Sequence, residues 1–280
     1  RQGVGEIKVT YFIKKLKYII YTNFVVALSS GILSAGFCYS HQIENWLWYG
    51  ILTFLSTLAV YNGQRLFKAK SKFKTPWLSW VNDNQKTIAS GTIISLGCAG
   101  LIILKIWNFN WLSFILLSVS TIISILYVVK IKGRNMRELP YLKIHLIALT
   151  WTAVIIGFPI INEELTVENS IVLLAHYCYV LAVTIPFDIR DLKYDDKRHK
   201  TIPQTIGIRA SKASSLVLLI MFGLLMVSVE NRLKTNGLFY VGILVQMLLV
   251  GFMNEKRSDI YCAGLIDGAI ALVGLSYFLL

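Results

Sequence analysis

The sequence predicts an all-α membrane protein of nine transmembrane helices in a single domain, residues 1–280, and three observations predict it. Hydrophobic residues make up 55% of the chain and charged residues only 15%, against about 25% charged in ordinary soluble domains. Mean hydropathy is +0.61, too high for a surface turned mainly to water. The apolar residues also gather into nine runs, at 18–40, 46–67, 88–107, 110–129, 143–161, 170–187, 213–229, 236–253 and 261–280. Each is long enough to cross ~30 Å of hydrocarbon as a helix.

The first run follows a basic N-terminal stretch and carries one amide, Asn23, which faces either a cavity mouth or ordinary packing. No short apolar segment with a small-residue cleavage site precedes it, so it reads as a retained span. The second opens with Trp46 and Trp48, which serve as interfacial anchors, and closes on the basic stretch YNGQRLFKAK. The third and fourth meet in a short turn flanked by Trp107 and Trp111. The fifth begins near His145, after the basic connection LYVVKIKGRNMRELPYLK, and the sixth holds His176, Tyr177 and Tyr179 before running into PFDIRDLKYDDKRHKT. Neither histidine has a metal partner near it in sequence; the two tyrosines are candidates to line an apolar cavity. The seventh follows KTIPQTIG, the eighth follows at once, and the ninth holds Asp267, an acid deep in an apolar run. An intramembrane acid is a functional candidate by default, with a hydrogen-bonded or protonated structural carboxylate as the alternative.

Charge sets the orientation. All but three of the 28 Lys and Arg residues lie in the N-terminal segment or the even-numbered connections; Lys105, Arg232 and Lys234 are the exceptions. This bias places the N-terminus and those connections in the cytoplasm, and nine spans then put the C-terminus on the opposite side. A bacterial inner membrane is the expected location. The net charge of +13 therefore sits on one face, where it also attracts anionic headgroups. Nucleic acid is not an expected partner, because the basic residues are divided among five connections with no recognition motif. Cys38, Cys98, Cys178 and Cys262 fall in or beside four separate apolar runs without clustering, so they read as small apolar residues rather than disulfides or metal ligands.

Four carboxylates, Asp188, Asp191, Asp195 and Asp196, stand at the end of the sixth run. At about 100° per residue the first three fall at 0°, about 300° and about 340°, one narrow helix face. Arg190 lies about 200° round and points away from them. Converging carboxylates repel and raise one another's pKa unless a cation neutralises them, so the face predicts either a bound divalent metal or a partner Lys or Arg. Hard oxygen ligands without His or Cys select Mg2+; His199 reads as a loop residue. The bland alternative is a mixed-sign loop that solvates a helix end.

The D-x-x-D-x-x-x-D spacing after a long apolar helix, the continuation KTIPQTIG and the nine runs together resemble the UbiA-type intramembrane prenyltransferase superfamily. That resemblance implies nine helices in a bundle around a lipid-accessible cavity, a polyprenyl diphosphate as substrate and Mg2+ as cofactor. It implies catalytic and metal-binding roles for Asp188, Asp191 and Asp195, and transfer of the prenyl group to a small, possibly aromatic, acceptor. In the fourth-to-fifth connection it marks Tyr127, Lys130, Lys132 and Arg134 as diphosphate-gripping residues. The first aspartate-rich segment of the family, N-D-x-x-D-x-x-x-D, should close the second helix, but with Asn62 as its asparagine, Gly63, Leu66 and Lys70 stand where the three acids belong. Asn62, Arg65 and Lys68 remain as substrate-binding candidates there, since cationic side chains contact phosphate oxygens directly. Three readings follow: a transferase with one metal site, the basic segment replacing the other ion; a non-catalytic isoprenoid-binding homologue or membrane subunit with protein partners; and a transporter coupled through Asp267.

Overall fold

The computed structural model describes residues 15–69, 75–106, 110–130, 135–161, 167–196 and 199–280, and among them all regular structure is helical. Helix α1 (Lys15–Tyr21) and α2 (Phe24–Ser40) form one run bent by 58°. The bend sits at Asn23, whose φ of 58° is left-handed, a conformation that asparagine tolerates and most residues resist. There follow α3 (Trp46–Ala69), α4 (Pro76–Asp83), α5 (Gln85–Ile106), α6 (Trp111–Leu126), α7 (Leu142–Ile160), α8 (Val167–Asp191), α9 (Ile202–Val229), α10 (Gly237–Gly251) and α11 (Ile260–Tyr277).

Helices stand at all nine apolar runs, but not all have the length expected. Five qualify as spans by length and hydropathy, six with the bent pair. Helices α6 and α10 have only 16 and 15 residues. Helix α3 has 24 residues but its last turns carry Asn62, Gln64, Arg65 and Lys68, which lower its hydropathy. Helix α4 is one that the apolar runs do not predict. Pro76 starts it with a φ already suited to a first turn, and Thr75 caps it by accepting the Leu78 N–H at 3.3 Å.

Small residues set the helix crossings. Helix α2 packs against α3 and α11, and α8 against α9 and α7. Gly31 and Gly50 meet where α2 crosses α3, and Gly36 and Gly274 where it crosses α11. Where hydrocarbon surrounds the protein, close backbone approach through small residues is a main source of helix association. A Cβ on Gly274 would lie 2.6 Å from Leu33 N and 2.7 Å from Leu33 Cα, both backbone atoms that cannot swing aside. Gly274→Ala should therefore cost about 1–3 kcal/mol through overpacking, seen as a lower unfolding midpoint in detergent. Gly97→Ala, on an exposed stretch of α5 with nothing within 4 Å, should be neutral or slightly stabilising. Equal midpoints for the two variants would refute this account of the crossing.

The outward faces of α5 and α6 are apolar, with Ile93, Leu101, Leu104 and Trp111 exposed, as lipid contact requires. Inside, Tyr179, Phe222, Phe239 and Tyr277 form an aromatic core with Phe37. All four cysteines are free, as expected, with Cys98 exposed and the others buried. At one end of the bundle Arg232 donates to Ser40 O at 3.0 Å and Leu280 O at 2.9 Å and pairs with Glu230 at 2.7 Å. The connection after α2, the α9–α10 connection and Leu280 thus meet there. The even-numbered connections meet at the other end, around a cavity.

Candidate functional site

A cavity of about 1210 Å³ opens among α1, α3, α6, α7, α8 and α11, larger than the roughly 300–1,000 Å³ of ordinary small-molecule pockets. Its mouth is charged. Arg65 and Lys68 come from α3, Lys130 and Arg137 from the α6–α7 connection, Lys143 from α7, and Asp188, Asp191 and Asp195 from the end of α8. Its depth is apolar and aromatic, lined by Tyr61, Trp151, Val154, Ile155, Val183 and Ile270, with Asp267 among them.

The sequence places the carboxylates through two local devices. Pro186 lies inside α8 and has no N–H for the carbonyl four residues back. That carbonyl, Ala182 O, instead accepts a 2.6 Å bond from Ser215 Oγ of α9, which ties the two helices together just below Asp188. The second device follows Asp191, where α8 ends. The N–H groups of Tyr194 and Asp195 both reach Asp191 O, at 2.8 and 2.9 Å, so one further turn keeps Asp195 over the helix face. Gln204 then holds this turn from the first turn of α9. Its Oε1 accepts from Thr201 N–H at 3.1 Å, and its Nε2 donates to Asp195 O and Asp196 O, both at 3.2 Å. The KTIPQTIG stretch is thus the support of the acidic segment.

The carboxylates do converge, and a cation sits between them. Lys143 Nζ lies 2.7 Å from Asp188 Oδ1, 2.8 Å from Asp195 Oδ2 and 4.0 Å from Asp191 Oδ2. Asp195 receives a second cation, Arg137 Nη2 at 3.2 Å, brought round by a short 3₁₀ turn that Asn135 caps. Burial would lower the pKa of the Arg137 guanidinium, but the acidic groups round it, with Asp195 in hydrogen-bond contact, outweigh that and raise it. Arg190 does not point away, as the helical angle suggested. Its Nε donates to Asp191 Oδ1 at 2.8 Å and its Nη1 lies 3.2 Å from Asp259 Oδ1. A long guanidinium reaches round its own helix, which a Cα angle does not register.

The cations that line the cavity with no carboxylate within ion-pair distance, among the described residues, include Lys17, Lys193 and Lys256, which are exposed, and Arg65 and Lys68, which are half-buried on α3. Among the described residues, neither Arg65 nor Lys68 has a hydrogen bond or a carboxylate within ion-pair distance. Both rest on aromatic faces instead. The Arg65 guanidinium lies 3.8 Å from the centre of the Trp77 ring, and Lys68 Nζ lies 5.4 Å from that of Tyr127. Trp77, on α4, is itself fixed by its indole N–H on Tyr21 O at 2.9 Å and by stacking on Tyr21 at 5.0 Å. Like any ordinary phenol, Tyr127 is protonated at neutral pH and can donate from its hydroxyl.

The other sequence candidates fall as follows. Lys130 lines the mouth with its side chain 62% exposed, 3.8 Å from Glu138. Lys132 and Arg134 lie outside the described residues. Asn62, expected at the substrate, is buried and not part of the lining; it accepts a 2.7 Å bond from Asn23 Nδ2, and Asn23 takes the place at the wall. Tyr177 and Tyr179 also miss the cavity, being turned to His145 at 2.6 Å and to the Phe222 ring respectively. His176 is a core histidine with both nitrogens engaged, by Val172 O and Tyr277 OH. Sequence reasoning missed Lys143, Arg137 and Asp259, which it counted only as connection charge or not at all.

Asp188, Asp191 and Asp195 have the donor chemistry for Mg2+, and both oxygens of buried Asp188 lack an aligned hydrogen bond. Their arrangement does not fit a shared metal, because the Lys143 ammonium holds the centre. Among the described residues no group of three acid, His or Cys side chains is disposed round a metal position.

Residues 84–260 match the model of the UbiA prenyltransferase family. No curated protein matches the chain in sequence. Among solved structures, a UbiA homologue from Archaeoglobus fulgidus bound to GPP and Mg2+ is similar at TM-score 0.59 and 14% identity, covering 95% of this chain and 98% of that one. The same homologue bound to DMAPP and Mg2+ gives 0.57 and 14%, over the same shares of the two chains. A digeranylgeranylglyceryl phosphate synthase gives 0.54 and 16%, covering 95% of this chain and 97% of that one. The apolar helices, the cavity between them and the match over most of the chain agree: this membrane protein belongs to the UbiA prenyltransferase family.

Proposed function

We propose that the protein binds a polyprenyl diphosphate, with its chain in the apolar cavity and its head at the charged mouth, and transfers the prenyl group to a small acceptor, an aromatic ring among the candidates. The observation that carries this reading is the cavity itself, greasy in depth and cationic at its rim, which matches a ligand of that polarity. The mouth faces the cytoplasm by the Lys and Arg bias. Arg65, Lys68 and the Tyr127 hydroxyl receive the head. As the allylic C–O bond breaks, its electron pair stays on the departing pyrophosphate, where these fixed donors stabilise it. The acceptor then bonds to the allylic carbon and gives up a proton, for which Asp267 is the candidate base. Mg2+ would add Lewis-acid stabilisation of the leaving group, but the carboxylates that would hold it are already paired with Lys143.

Purified protein in lipid nanodiscs, given geranylgeranyl diphosphate and an extract of native membrane as acceptor source, should release inorganic pyrophosphate. Mass spectrometry of the lipid that copurifies should find an isoprenoid. The absence of three acids at Gly63, Leu66 and Lys70 favours a second reading, a binding homologue. Isoprenoid recovered without any pyrophosphate release would select it.

A further inference from the structure

We infer that this chain grips the diphosphate head directly with Arg65 and Lys68 and needs no divalent metal to do so. This rests on the diphosphate reading above and specifies how the head is held. The mouth carries two sets of charge in different states. On the α8 side, Asp188, Asp191, Asp195 and Asp259 face Lys143, Arg137 and Arg190, each acid within 3.2 Å of a cation. On the α3 side, Arg65 and Lys68 line the same cavity without a carboxylate or hydrogen-bond partner among the described residues. Any anion that enters meets cations that are uncommitted and acids that are not.

The aromatic supports make those cations usable. Stacking on Trp77 fixes the plane of the Arg65 guanidinium while leaving its N–H edge free, and a fixed planar fork suits two phosphate oxygens at once. Trp77 cannot drift, since Tyr21 holds it by both its indole N–H and its ring face. Lys68 stands three residues on along α3, on the same side of the helix, with Tyr127 beneath it. Together they present a guanidinium, a lysine amine and a phenol hydroxyl to a head that carries two or more negative charges. A metal route is handicapped by contrast. Mg2+ sheds its water reluctantly and demands near-octahedral oxygen ligands, and here it would have to evict an ammonium already 2.7 and 2.8 Å from two of them.

The test is the binding of geranyl diphosphate to the purified full chain in nanodiscs, by calorimetry, in EDTA and again with excess Mg2+. The inference expects binding in EDTA, with a Kd within about threefold of that in Mg2+, and a rise of about tenfold or more when Arg65→Ala and Lys68→Ala are combined. Arg65→Lys with Lys68→Arg should recover part of the loss. Binding that appears only with Mg2+ overturns the inference and leaves the diphosphate reading standing. A double alanine variant that binds as tightly as wild type also overturns it. No binding in either condition overturns the reading and the inference together. The EDTA comparison needs only the wild-type chain, so it decides even if the variants fail to fold.

Discussion

Lys143→Met should be the most damaging single substitution at the mouth and should turn a metal-indifferent protein into a metal-responsive one. The ammonium neutralises Asp188 and Asp195 at 2.7 and 2.8 Å, and those carboxylate side chains are only 1% and 4% exposed. Methionine keeps the length and apolar stem but removes the charge. Leaving one partner of a buried ion pair uncompensated costs about 3–5 kcal/mol, here with three carboxylates converging on the emptied centre. Unfolding in detergent should fall accordingly. Added Mg2+ or Mn2+ should then raise the midpoint of the variant, because hard oxygens without a resident cation are a cation site, and should leave wild type unchanged. Adding Asp188→Asn to Lys143→Met should restore part of the stability, since the two act through one contact. A variant as stable as wild type, or equally indifferent to metal, would mean that Lys143 does not hold this place.

Asp267→Asn carries the largest expected effect on chemistry. Asp267 lines the cavity, is 7% exposed, and has no hydrogen bond or ion pair among the described residues. Placing a carboxylate there without a partner is costly, so its retention fits a task in the cavity. A π-helical stretch, Ile260–Ile266, runs directly up to it, and a second, Ala153–Gly157, supplies Val154 and Ile155 to the same wall. Such bulges shift side-chain direction within a helix and recur at functional sites. Asp267 also lies eight residues beyond Asp259 of the mouth, roughly 12 Å deeper at about 1.5 Å per residue, so it stands below the head and beside the chain. Asparagine keeps the shape and loses the base. Geranyl diphosphate binding should stay within about threefold, while pyrophosphate release with the membrane extract should fall by about 10²–10⁴, the usual worth of a positioned base. Transfer at the wild-type rate in this variant would reduce Asp267 to a structural acid.

Much of this was legible before any coordinates. The helical runs, the convergence of Asp188, Asp191 and Asp195 and the reading of the cysteines as small apolar residues follow from local periodicity and composition, whereas the support that Gln204 gives the acidic turn came only from the structure. Asn62 misled because an amide on a helix gives no sign of which neighbour will take it, and Asn23, 39 residues earlier, does. Arg190 misled because the angle of a Cα says little about the tip of a long side chain. Tyr177 and Tyr179 misled because every face of a membrane helix is apolar, so hydropathy does not separate the cavity wall from the core.

The sequence alone determined a helical membrane bundle, its polarity of charge and one acidic helix face, since each of these is set by residues within a few turns of one another. Tertiary structure decided which cation answers that face and which cations stay free. Lys143 lies 45 positions from Asp188 and Trp77 lies 56 from Tyr21, and only packing brings such partners together. Charge neutralisation acts through distance in space, which the order of residues along a chain does not encode.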